Sequence, residues 1–145
     1  MELSIQMEAV AMVYIAVIAL FHLSGQNMSG VRHKLFGWCL LLAEGTTALN
    51  ILTIFMLDEG ANIPLALNVI VNMLYFLGMN TLLSCVAIYA FYVLFDHAQD
   101  RHCFYIAMRL ITTFFVIMQL LVVTNPWTKW LFYFKDGKYY RGWLN

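Results

Sequence analysis

Charged side chains are scarce. Eight Lys and Arg and eight Asp and Glu make up 11% of the 145 residues, against about 25% in an average soluble domain. That scarcity excludes an ordinary water-soluble globule. An excess of one sign is lacking too: the formal net charge is zero and no basic run occurs, so a nucleic-acid partner has no electrostatic support. There are only two prolines, Pro64 and Pro126. Cysteine is sparse, odd in number and widely spaced, at Cys39, Cys85 and Cys103; Cys39 and Cys85 fall in apolar runs and read as small buried hydrophobes. The N-terminus has neither the basic start nor the small-residue cleavage site of a signal peptide, so the first apolar run is expected to be retained. No nucleophile–base pair, phosphate-cradling glycine loop or HExxH pattern occurs, which argues against an enzyme within this chain. No cofactor is implied. No internal repeat, heptad seam or low-complexity tract is evident.

What is abundant is apolar. Hydrophobic residues make up 63% of the chain and mean hydropathy is +0.76. A membrane span takes about 20 mostly apolar residues, and four such runs fit, at about 7–23, 35–57, 65–95 and 104–123. The expected fold is an all-α membrane protein: a four-helix transmembrane bundle over 1–124, then an extracellular aromatic β-hairpin over 125–145. The third run is longer than a bilayer's hydrocarbon thickness of roughly 30 Å requires, so it tilts or projects. Pro64 stands where proline is tolerated, at a helix start. Arg32 and Lys34 in the first loop and Arg101 in the third place those loops in the cytoplasm, with the N-terminal tail, which carries Glu2 and Glu8, outside. The hairpin, with Lys129, Lys135, Lys138 and Arg141, dissents from that sidedness.

Polar residues inside the runs are the functional candidates. Glu44 lies mid-span, where a lone carboxylate costs at least about 2.5–3.5 kcal/mol and should face the bundle interior, protonated or paired. Counting depth from the span ends makes a cluster of Glu44, Asn80, Thr81 and Arg109 conceivable, as a ligand- or proton-sensing group. The alternative is that Arg109 snorkels to the headgroups while Glu44 is neutral and hydrogen-bonded to a neighbouring helix. Asn50, Asn68, Asn72 and Gln119 make a second layer nearer the outside, either as interhelical glue or as a polar pocket; Asn68 and Asn72 share a face at i, i+4. Asp96, His97, Asp100, His102 and Cys103 could ligate a metal by type, but their spacing matches no zinc pattern, so a solvated loop and no metal site is expected. His22 and His33 have no identifiable partner. Trp38, Trp127, Trp130 and Trp143 are expected near helix ends, as an interfacial belt.

After the fourth run, Asn125-Pro126 reads as a helix stop. Two aromatic runs follow around Asp136-Gly137, a pair suited to a type I′ hairpin turn. This segment, through Asn125, Pro126, Phe132, Tyr133, Phe134, Gly137, Tyr139, Arg141 and Gly142, resembles the Asn-Pro…Phe-Tyr-Phe…Gly-x-Tyr-x-Arg-Gly stretch of a bacterial multi-helix sensor region. That region stands at the N-terminus of membrane-bound GGDEF diguanylate cyclases and related sensor histidine kinases of Gram-positive bacteria. The resemblance covers the helix count and about 18 residues of motif. It implies a multi-pass input module in the bacterial cell membrane, N-terminus outside, in which further spans and a cytoplasmic output domain follow the hairpin. The chain stops at Asn145 without such a domain, so a fragment of a longer sensor is expected. Implied partners are the lipid bilayer, a second copy or an output domain, and an unknown small ligand. A small transporter or channel component, or a structural membrane subunit, is the alternative.

Overall fold

A computed structural model describes residues 2–24, 30–58, 64–95, 101–135 and 138–143. Four helices form: α1 (Glu2–Ser24), α2 (Val31–Asp58), α3 (Leu65–Phe95) and α4 (Arg101–Thr128). Each holds a stretch long and apolar enough to cross a membrane: Ile5–Ser24, Val31–Leu57, Leu65–Phe95 and Phe104–Thr128. Large apolar side chains point outward along all four, among them Phe21, Leu41, Leu83 and Leu110. Helices that are apolar all round need an apolar surrounding. The hydroxyls answer to the same demand. Seven threonines, at 46, 47, 81, 112, 113, 124 and 128, donate to the carbonyl four residues back in their own helix. Each is thereby satisfied without water, as hydrocarbon requires.

The helices pack in chain order, α1 on α2, α2 on α3 and α3 on α4, with the α2–α3 interface the most extensive. Small residues make that closeness attainable. Cys39 Sγ lies 3.2 Å from Cys85 Sγ. One heptad along, a Cβ on Gly78 would sit 3.2 Å from Thr46 Oγ1. Thr53 and Val71, a further heptad on in each helix, are both buried. Steps of seven up α2 therefore meet steps of seven down α3, a left-handed antiparallel seam. The expectation of no heptad seam is corrected here: Cys, Thr, Gly and Val carry this one, rather than the large aliphatics by which a heptad is usually noticed.

The most buried side chains gather at the α4 C-terminus. Asn125 is 1% and Phe132 2% exposed, and Asn68, Asn72, Met56 and Val122 are buried as well. Asn125-Pro126 does not stop α4, contrary to expectation; the helix runs on to Thr128. Proline in a last turn forfeits only the bond its N–H would have donated to Val122, and the turn closes around it through Lys129 N–H to the Asn125 carbonyl at 2.8 Å. Lys129, at φ 56°, then supplies the left-handed cap. Residue 125 is consequently inside the helix, and it ties helix to hairpin instead of separating them.

The hairpin pairs β1 (Phe132–Lys135) with β2 (Lys138–Arg141) in antiparallel register, Phe132 opposite Arg141 and Lys135 opposite Lys138. That register leaves two residues between the strands, as a two-residue turn requires; Asp136 and Gly137 themselves lie outside the described residues. Tyr133 and Tyr140 stack across the strands at 5.4 Å. Phe132 stacks on Tyr139 at 6.0 Å and, from its other contact, on Phe76 of α3 at 5.5 Å and 9°. Gly142 donates to the Leu131 carbonyl at 2.8 Å, and a Cβ there would run into the Trp130 carbonyl. A glycine is needed at that approach.

Candidate functional site

Among the polar contacts that bridge helices within the apolar stretches, two join carboxylate, amide and hydroxyl side chains. Gln119 Nε2 donates to Thr81 Oγ1 at 3.0 Å, joining α4 to α3. Asn50 Nδ2 donates to Glu8 Oε1 at 2.7 Å, joining α2 to α1. Neither pairing is the one the sequence indicated. Thr81 was placed with Glu44, and Gln119 with Asn50; the structure joins Thr81 to Gln119 across the two expected layers and gives Asn50 a partner, Glu8, that was in neither.

Among the described residues no hydrogen bond or ion pair joins Glu44, Asn80, Thr81 and Arg109, the cluster expected from the sequence. Among the described residues Glu44 Oε2 and Asn80 Nδ2 are buried without a hydrogen-bond partner, and Arg109 is exposed. Helix starts explain why. α2 begins at Val31 and α4 at Arg101, so Glu44 sits roughly 20 Å along its helix and Arg109 roughly 12 Å along its own. Azimuth separates the rest: Glu44 lies five residues, about 140° around α2, from the Cys39 face that meets α3. In the second layer Asn72 Nδ2 donates at 2.9 Å to the Asn68 carbonyl of its own helix. Both amides are buried, and Asn68 Oδ1 has no partner among the described residues.

At the opposite end of α1, His22 and His33 find each other. Their rings stack at 3.7 Å, and His22 Nε2 lies 3.0 Å from the His33 carbonyl. Arg101 and His102, read as loop, belong to the first turn of α4; Asp96, His97 and Asp100 lie outside the described residues. Trp127, Trp130 and Trp143 are exposed at the hairpin end, as an interfacial belt predicts. Trp38 is not at a helix end; it stands two turns into α2.

The residue that sequence reasoning passed over is Glu8. It was counted with the N-terminal tail although the first span was begun at Met7; α1 starts at Glu2 and the apolar stretch at Ile5, so Glu8 stands inside both. Glu8 thus becomes one of two carboxylates inside the apolar stretches, the other being Glu44. The available signal was continued helix-compatible sequence back to Glu2.

Glu8 lines a groove of about 230 Å³ with Ile15 of α1, Thr46, Thr47 and Asn50 of α2, and Tyr75 of α3. Acceptors outnumber donors in this groove. Thr46 and Thr47 have given their hydroxyl hydrogens to the Leu42 and Ala43 carbonyls, at 2.6 and 2.9 Å. Their oxygens keep only lone pairs to offer. Asn50 has committed one amide hydrogen to Glu8 and retains the other together with its carbonyl oxygen, and the Tyr75 hydroxyl is a further donor. A carboxylate, two spent hydroxyls and an amide oxygen make an acceptor-rich wall, with the Tyr75 ring beside it. Such a wall suits a compact cation that brings its own donors.

No protein-family model, curated protein or solved structure matches the chain. Function is therefore argued from this geometry and from the residues of the hairpin segment.

Proposed function

We propose that the chain is a sensory input module of a bacterial membrane signalling protein, and that its stimulus is a small organic ammonium held in the Glu8 groove. The supporting observation is the acceptor-rich wall around a carboxylate in an apolar stretch, since an ionisable residue in such a place marks a functional site by default. The sidedness argued from Arg32, Lys34 and Arg101 puts Glu8, loop two and the hairpin outside the cell, so an external ligand reaches the groove from its own side of the membrane. The resemblance of the hairpin segment points to the output, a diguanylate cyclase or histidine kinase domain carried by a longer protein.

The relay follows from competition. In the unliganded groove Glu8 accepts from Asn50 and holds α1 to α2. A ligand ammonium takes the carboxylate for itself and releases that tether. Helix α1 is the element with most freedom to respond, because its apolar stretch has no buried residue. A module of this kind needs two arrangements of one interface that the ligand binds unequally; tethered and released α1 are those arrangements. Transport is less well supported. The Glu8–Asn50 pair lies between α1 and α2 and the Thr81–Gln119 pair between α3 and α4, so the two do not form one path.

The test uses the chain in lipid nanodiscs and n-butylammonium as probe, with binding followed by calorimetry. Glu8→Gln is expected to weaken binding by roughly tenfold or more, the usual scale for removing one charged partner, while Arg109→Gln leaves it unchanged. Equal affinity in Glu8→Gln and the unaltered chain would remove the basis of the proposal.

A further inference from the structure

A second groove, of about 260 Å³, opens on the α4 side of the α2–α3 seam. Its walls include Trp38 of α2, Thr81, Ser84 and Cys85 of α3, and Thr112 and Phe115 of α4. Cys85 forms part of the wall, and its Sγ stands 3.2 Å from Cys39 Sγ in the seam. Two thiols this close need only a small approach to bond, and their helices share the most extensive interface among the described residues. What the pair lacks is a two-electron acceptor. In an apolar stretch that acceptor has to dissolve in lipid. The groove offers it two aromatic surfaces, Trp38 and Phe115, for a planar ring. Ser84 brings a hydroxyl hydrogen that a carbonyl oxygen can accept.

We propose that this groove takes a lipid-soluble quinone, which oxidises Cys39 and Cys85 to an interhelical disulfide. The two S–H bonds break and one S–S bond forms. Both protons and two electrons pass to the quinone, whose two carbonyl oxygens become the hydroxyls of the hydroquinone. The product is a covalent bond across α2 and α3 that fixes their register, so the redox state of the membrane quinone pool decides whether this interface can move. The groove lies across the α2–α3 seam from Glu8, and the inference stands or falls apart from the ammonium reading.

The experiment uses the full chain carrying Cys103→Ser, reduced and kept anaerobic in lipid nanodiscs. The probe is a fully substituted benzoquinone with a decyl tail, because a ring with no open position cannot be arylated by a thiol. The expected result is loss of both thiols, one hydroquinone formed per disulfide, and a mapped Cys39–Cys85 cross-link. Cys39→Ser and Cys85→Ser each abolish hydroquinone formation. Filling the groove with Thr112→Trp slows the quinone reaction by roughly tenfold, while the small azo oxidant diamide closes the pair at an unchanged rate. On the unaltered groove, an excess of the redox-inert dimethyl ether of the hydroquinone slows the quinone and spares diamide. The proposal is overturned if diamide closes the pair and the quinone does not, if neither closes it, or if the inert ether fails to compete.

Discussion

Asn125→Leu is expected to detach the hairpin from the helices. The Asn125 amide donates to the Phe132 carbonyl at 3.0 Å and accepts from the Leu131 and Phe132 amides at 2.8 and 3.4 Å. Leucine has nearly the same volume, so the loss is polar rather than steric. It leaves a buried carbonyl and two backbone amides with no partner, each worth about 1–3 kcal/mol when stranded. The sum exceeds what one small hairpin gains by resting Phe132 on Phe76. Hydrogen exchange in nanodiscs reads the result directly: protection of the Leu131 and Phe132 amides should fall by about 100-fold, the factor matching roughly 3 kcal/mol. The helical amides of α1 and α2 should be untouched. Asn125→Asp, which keeps the acceptor and loses the donor, should fall between. Were the Leu131 and Phe132 amides as protected in Asn125→Leu as in the unaltered chain, the hairpin would be held by its aromatic contacts alone.

Gly78→Ile is expected to prise α2 from α3. Even a Cβ at 78 would stand 3.2 Å from Thr46 Oγ1 and 3.9 Å from Leu49 Cδ1. An alanine there asks its neighbour to yield by a few tenths of an ångström. A β-branched side chain has no comparable escape, since its second branch must also point into the seam. Overpacking of this kind costs about 1–3 kcal/mol, and in this interface it is relieved by separating the helices. The sulfur pair one heptad away measures that separation. Closure of Cys39–Cys85 by diamide should slow by roughly tenfold or more in Gly78→Ile and change little in Gly78→Ala, because thiols moved apart no longer meet disulfide geometry. Equal rates in both variants would mean that the seam is loose at Gly78.

Length and apolarity were enough to find all four helices. An 18-residue apolar run has few stable options besides a helix in lipid or a core, and each expected span falls inside an observed helix. The hairpin was legible for a related reason: two short aromatic runs flank a two-residue turn pair, and strand register follows from turn length. Pro64 also behaves as read, immediately before α3, with its carbonyl accepting from Leu67 and Asn68.

The ends of the helices were harder. α2 and α4 each begin before the run expected for them, through Val31-Arg32-His33-Lys34 and Arg101-His102-Cys103, because charged and polar residues are compatible with the first turn of a helix. α4 continues past Asn125-Pro126 because a last turn can lose one donor and still close on Lys129. Every inferred depth inherited those errors. Arg109 was consequently read as a neighbour of Glu44.

From the residues alone came the number of helices, their apolar surroundings, and the strand pair that follows them. These depend on composition and local period, which act within a dozen residues. The tertiary structure alone decided which polar groups meet: Glu8 with Asn50, Thr81 with Gln119, His22 with His33, Cys39 with Cys85. Such meetings depend on depth and azimuth together. A helix turns about 100° and rises about 1.5 Å per residue, so an error of two residues in one start carries a side chain to the other face, and one sequence read alone does not fix those starts.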